Sequence, residues 1–191
     1  VIVVLGALWA LNPGAWRERI AGGKPGPASA LAVLPLANLS GDPQQEYFAD
    51  GMTDEMITSL GKISALTVIA RSSVMEYKGT RKPLRQIARA LGVGSVLEGT
   101  VLRAGDRVRI SVQLIAAATG RLVWSESYER SLRDVLALQS EVALAIAREI
   151  QVKLTPREQE RLASTRAVDP RAYEACLLGR HHSNKLTYEG E

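Results

Sequence analysis

The sequence predicts an α/β fold: a mixed sheet with a parallel strand-helix-strand start, an antiparallel three-stranded meander, and helices packed on the sheet. Three observations carry that prediction. In residues 94–130, Val108, Ile110, Val112 and Leu114 alternate with Arg107, Arg109, Ser111 and Gln113, a period of two that gives a strand one apolar and one polar face. Gly105-Asp106 and Thr119-Gly120 divide this stretch into three runs; glycine supplies the positive φ of tight hairpin turns, which makes neighbouring strands antiparallel. Ahead of the meander, an apolar run at 31–36, a helical pattern and a β-branched run at 66–70 follow one another, an order that implies a parallel pair joined by a crossover.

Taken in order, residues 1–11 are almost purely apolar and are followed by Trp16, Arg17 and Arg19. A membrane span needs about 20 apolar residues. The expectation for 1–21 is a truncated transmembrane helix with its interfacial flank, in a chain that is a piece of a longer protein; a signal-peptide core or a buried strand are the alternatives. Residues 22–28 have the glycine and proline density of a linker, so the folded domain is expected to start at 29. The run at 31–36 suits a strand buried on both faces, with Pro35 near its end.

Phe48, Met52, Met56, Leu60 and Ile63 repeat at helical spacing and share one face, and Gly61 marks the helix end. Asp50, Asp54 and Glu55 lie early in this helix, where the dipole favours carboxylates, and are expected to form a solvated face. A second helix opens at Pro83 and stops at Gly92. After the meander, Val135, Leu138, Val142, Ile146, Ile150 and Leu154 form a long apolar stripe. Thr155-Pro156-Arg157-Glu158 reads as a capping box, and Asp169-Pro170 opens a last helix. Domain boundaries are expected at 29–155 for the α/β domain and 156–191 for a helical region after it.

Hydrophobic content of 46% over 191 residues is enough for a core. The single cysteine, Cys176, excludes an internal disulfide or a cysteine metal site and is expected to pack among Tyr173, Leu177 and Leu178. Gly92-Val93-Gly94 fails as a dinucleotide fingerprint, because it follows a helix and opens a strand. The loop Ser40-Gly41-Asp42-Pro43 stands at the exit of the first strand, where open α/β sheets hold ligands, but lacks a phosphate loop's lysine. His181 and His182 are adjacent and therefore diverge on a helix. No catalytic residues, cofactor or metal are expected.

Charge is uneven. Residues 42–55 hold five acids and no base, whereas 71–109 hold nine bases and three acids, a net of +6 in a chain of +4. With Tyr77 as its one aromatic, the basic sector suits a solvated polar face or an acidic protein partner better than nucleic acid. The candidate interaction residues are Ser40, Gly41, Asp42, Asp50, Asp54, Arg85 and Arg89, with a protein as the expected partner and the membrane engaged through residues 1–21.

Several separated motifs, LAVLPLANLSGDPQQEYFADGMTDEMI (31–57), VIARSS (68–73), ALGV (90–93), VLEGTV (96–101) and LVWSE (122–126), together resemble the TolB-like amino-terminal domain of bacterial multidomain signalling proteins. DPRAYEACLLGR (169–180) is similar to the lead-in to tetratricopeptide repeats. The resemblance implies a non-enzymatic sensory or protein-interaction module, membrane-anchored at the inner membrane and periplasmic. It implies a parent that also carries an adenylate or guanylate cyclase, winged-helix or serine/threonine kinase domain. It brings no catalytic residues.

Overall fold

The computed structural model describes residues 26–164 and 167–188. The apolar stretch at 1–21 and most of the glycine-rich linker lie outside the described residues. The chain runs β1 (Ala30–Val33), β2 (Ala37–Asn38), a 3-10 turn (Pro43–Gln45), α1 (Glu46–Gly61), β3 (Thr67–Val68), α2 (Arg71–Met75) and α3 (Leu84–Leu91). It continues with β4 (Ser95–Ala104), β5 (Arg107–Ala116), β6 (Arg121–Ser131), a 3-10 turn (Leu132–Asp134), α4 (Val135–Glu149), α5 (Pro156–Ala163) and α6 (Pro170–Tyr188). The six strands form one mixed sheet in the order β3-β1-β4-β5-β6, with β2 pairing β4 beyond the end of β1. β1 is parallel to β3 and β4, β2 is parallel to β4, and β4, β5 and β6 form the antiparallel meander.

Alternation along the strands sends side chains to two cores. On one face, Leu31 and Val33 of β1, Leu97 of β4 and Ile110 and Leu114 of β5 meet Phe48, Met52 and Met56 of α1 and Leu138 and Val142 of α4. Each such fully buried side chain is worth about 1.5–3 kcal/mol. On the other face, the small residues Ala30 and Ala32 let α2 and α3 approach closely, packing with Val74, Ala88 and Val96. This second cover reaches only the β3-β1-β4 side, so the outer face of β5 and β6 keeps Arg107, Arg109, Gln113, Ser125 and Ser127 exposed or partly exposed.

Pro35 falls in the gap between β1 and β2, where its missing N–H interrupts nothing. Leu34 N still donates to Leu97 O (2.8 Å), and Leu36 N donates to the Thr53 hydroxyl (3.0 Å). Gly92 ends α3 in the left-handed region at φ 67°, with Gly92 N on Arg89 O and Val93 N on Ala88 O, a Schellman closure. Gly94 serves a different need, since a Cβ there would collide with the carbonyl oxygens of Gly26 and Pro27. The stretch 26–28 is therefore laid against 92–95, with the Ser95 hydroxyl donating to Ala28 O (2.9 Å), and is held to the domain more closely than its composition suggests.

The structure adds one helix to the expected order and corrects three further expectations, among them that a period of two leaves Leu122 and Trp124 on one face. The short helix α2 has no apolar period long enough to announce it. The long stripe breaks at Gln151, the one described non-glycine residue with positive φ (60°). There Val152 N turns back to Ala147 O (3.0 Å), so α4 ends at Glu149 and Leu154 packs on the core from outside the helix. In β6, Trp124 opposes Leu114 but Leu122 opposes Ile115; the extra residue is a bulge that puts Leu122 and Trp124 on opposite faces. Trp124 is only half-buried and Leu122 is 55% exposed. Cys176 points to solvent and packs in no core. The capping box at Thr155 and Glu158 forms as expected.

Candidate functional site

Helix α1 is the element around which the charged groups gather. Its apolar stripe faces the sheet, and its opposite side carries Glu46, Asp50 and Asp54 at intervals of four, which places them in one row. Its two inner members are not solvated: Asp50 is 6% exposed and Asp54 8%, while Glu46 stays partly exposed. The loop after α2 brings Lys78 Nζ to Asp50 Oδ1 (2.5 Å) and Glu46 Oε1 (2.9 Å), and the first residue of α2, Arg71, pairs with Asp54. Burial opposes the charged form of Lys78, yet its bonds to Asp50 and Glu46 outweigh that and raise its pKa. At Asp54 burial wins over Arg71, and the carboxyl titrates above its usual range.

The last helix closes the site. Leu177 of α6 is 1% exposed and sits over Gly51 of α1, where a Cβ would lie 2.7 Å from Leu177 Cδ2. Around that contact, Gln139 Nε2 donates to the Tyr173 hydroxyl (3.0 Å), Arg180 Nη1 pairs with Glu55 Oε1 (2.6 Å), and Arg103 of β4 pairs with Glu174. His181 Nδ1 is 3.4 Å from Asp50 Oδ2. Burial, with Glu55 nearby, pushes the Tyr173 hydroxyl well above its ordinary pKa, so it remains a neutral hydrogen-bonding group. Neither this contact nor its partners were anticipated. The available signal was an isolated glycine inside a helical pattern, a choice that weakens the helix and is offset where a neighbour packs close.

The candidate interaction residues do not converge on one site. Ser40, Gly41 and Asp42 lie in a loop that uses its polar groups on itself. Asn38 Oδ1 accepts from Ser40 N (2.9 Å) and Ser40 Oγ (2.7 Å), Asp42 Oδ1 accepts from Gln44 N (2.8 Å), and Gly41 has φ 75°. A cavity of about 250 Å³ adjoins it, lined by Asp42, Gln44, Tyr47 and Arg103. Arg85 and Arg89 sit across the sheet on α3, both exposed, with Arg85 donating to Thr119 O. The basic sector is also dispersed: Arg71, Lys78 and Arg103 are engaged as above. Arg107 and Arg109 each hold Glu129 at 2.7 Å and keep its carboxyl below the usual range, Arg109 foremost. Among the described residues, no three His, Cys, Asp or Glu side chains are placed to hold a metal ion. No helix among them is long and apolar enough to cross a membrane.

Residues 27–145 match the sequence model of the HilA/YgeH-like transcriptional regulator, second domain. The chain belongs to this family. The HilA-like region therefore comprises the sheet, α1 to α3 and most of α4, and α5 and α6 lie beyond it. The chain is also 49% identical over 151 residues to a protein of Rhizobium meliloti (strain 1021) named as a candidate adenylate cyclase, number 3, covering 79% of this chain. It spans only 26% of that relative's length. Among solved structures, TolB from Acinetobacter baumannii overlaps 68% of this chain and 30% of its own, at 16% identity and a TM-score of 0.48. A lipoprotein of Neisseria meningitidis overlaps 66% of this chain and 99% of its own, at 20% identity and a TM-score of 0.46. Both scores lie below 0.5.

Proposed function

We propose that this HilA-like domain is a non-enzymatic interaction module that receives a protein partner and passes the event to the rest of its parent through α6. One observation carries the proposal. The domain type belongs to a family of transcriptional regulators, yet this chain is half-identical to part of a protein named for a cyclase activity. A unit found with two different outputs supplies what they share, which is regulation. The docking of α6 on α1 supports the route, because a helix held by an apolar contact and several ion pairs moves with the surface it sits on.

The relationship to the Rhizobium meliloti protein favours a second, more specific form of the reading, in which the parent is a nucleotide cyclase and this segment regulates it. In either form, residues 1–11 with Trp16, Arg17 and Arg19 are proposed as the remainder of a membrane anchor that places the domain on the envelope side. Residues 169–180 are proposed as the lead-in to a repeat array.

With Asp50 and Asp54 occupied inside the fold, the surface left for a partner is the 38–42 loop and the α3 face with Arg85 and Arg89. Binding through exposed charge weakens as salt rises. The test is reporter output from the full-length parent carrying Arg85→Glu with Arg89→Glu, beside crosslinking of the partner to the same variants. Loss of both output and crosslink with an unchanged melt is expected. Full output from the reversed variant would overturn the proposal.

A further inference from the structure

The gap between β1 and β2 opens a second feature on the outer sheet face. A cavity of about 350 Å³ lies there, floored by Glu98, Thr100 and Gln113, walled by Pro35 and Leu84, and rimmed by Lys82. Its size is that of small-molecule sites. Glu98 and Gln113 are register partners and so lie side by side on the same face.

Glu98 sets this cavity apart. It is half-buried, yet makes no hydrogen bond or ion pair with the described residues. The other carboxylates of the sheet and of α1 do not share that condition. Glu129 is held by two arginines, Glu126 accepts from the Tyr128 hydroxyl, and Asp50, Asp54 and Glu55 are each paired. The Glu98 oxygens still reach water, so the carboxylate is available to a ligand ammonium, which forms a charge-assisted bond there in exchange for that hydration. The rim has the opposite sign: Lys82 Nζ lies over the Tyr77 ring, 5.6 Å from its centroid, an arrangement that positions the ammonium. The Lys82 backbone N–H is fixed on Thr80 Oγ1 (3.3 Å).

We propose that this cavity binds a small zwitterionic amine of amino-acid type, with its ammonium on Glu98, its carboxylate toward Lys82, and its apolar side chain against Pro35 and Leu84. A phosphate or other pure anion meets Glu98 at the floor, and a simple cation meets Lys82 at the rim. A ligand carrying both charges satisfies each, and the apolar wall selects among side chains. Ligand binding here would give the interaction module a second input, but it does not depend on that reading.

The test uses the chain of 191 residues and titration calorimetry with the common amino acids one by one at millimolar concentration, followed by their N-acetyl and amide derivatives. Binding of at least one amino acid with an apolar side chain is expected. N-acetylation, amidation, Glu98→Gln and Lys82→Met should each weaken it about tenfold or more, as loss of one charge-assisted contact does. Both substitutions leave an exposed or half-exposed side chain, and an unchanged melt verifies folding. Absence of binding by every free amino acid, or an affinity that survives N-acetylation or Glu98→Gln, would overturn the proposal. Partner crosslinking is read separately, so either proposal can fail without the other.

Discussion

Leu177→Ala tests whether α6 is fixed to the domain. Leu177 is 1% exposed, and its terminal methyl groups fill the notch that Gly51 leaves in α1. Truncating a buried leucine to alanine costs about 2–5 kcal/mol, less where the surroundings can collapse. The contact is between two helices at the edge of the core, and Tyr173 and Arg180 flank it and remain bonded to Gln139 and Glu55. Partial collapse is available, which places the expected loss near the lower end, about 2–3 kcal/mol. For a chain of this size that is a fall of about 4–12 °C in Tm.

Gly51→Ala supplies the converse. In the parent, its Cβ would meet Leu177 Cδ2 at 2.7 Å, and overpacking of this kind costs about 1–3 kcal/mol. In the Leu177→Ala background that obstacle is gone, and alanine gains about 1 kcal/mol over glycine inside a helix. The same substitution should therefore destabilise the parent and stabilise the variant, a reversal of sign that a double-mutant cycle by thermal or urea melts reads directly. Hydrogen exchange across residues 170–184 and 46–56 should rise together in Leu177→Ala. A Tm within a degree of the parent, or a Gly51→Ala effect of the same sign in both backgrounds, would refute the docking of α6 on α1.

Two further outcomes follow from charge. Asp50→Lys should cost about 2–4 kcal/mol, because it sets a cation against Lys78 beneath α6, whereas Arg89→Glu on exposed α3 should stay within about 0.5 kcal/mol in the same urea melts; equal effects would mean that α1 is solvated after all. Glu158 accepts from the backbone N–H groups of Ser64 and Thr155, at 2.7 Å each, which lower its pKa to about 2. A depressed carboxylate contributes stability that is present above the ordinary value of 4.5 and disappears as pH falls from there through about 2. Glu158→Gln should flatten the acid limb of a Tm-against-pH profile within that window, and an unchanged limb would remove Glu158 from the account.

The meander, the parallel start, the buried face of α1 and the capping box at Thr155 were all legible in the sequence. Each is specified by residues close along the chain: a period of two in 107–114, glycines at the turns, apolar residues at helical spacing, and a threonine three residues before a glutamate. What the tertiary structure decided involves partners distant in sequence. The β6 bulge follows from pairing with β5, and nothing local to Val123 announces it. Asp50 and Asp54 looked like a dipole-favoured solvated row because helix periodicity reports which residues share a face, not what covers that face. Lys78, Arg71 and His181 cover it from other elements. Gly51 and Leu177 stand far apart in the chain and become one contact only after α6 returns across α1. Glu98 is an ordinary outward residue of an alternating strand until the break at Pro35 and the approach of α3 enclose it. Periodicity fixes direction within an element; burial and pairing are set by where the other elements come to rest.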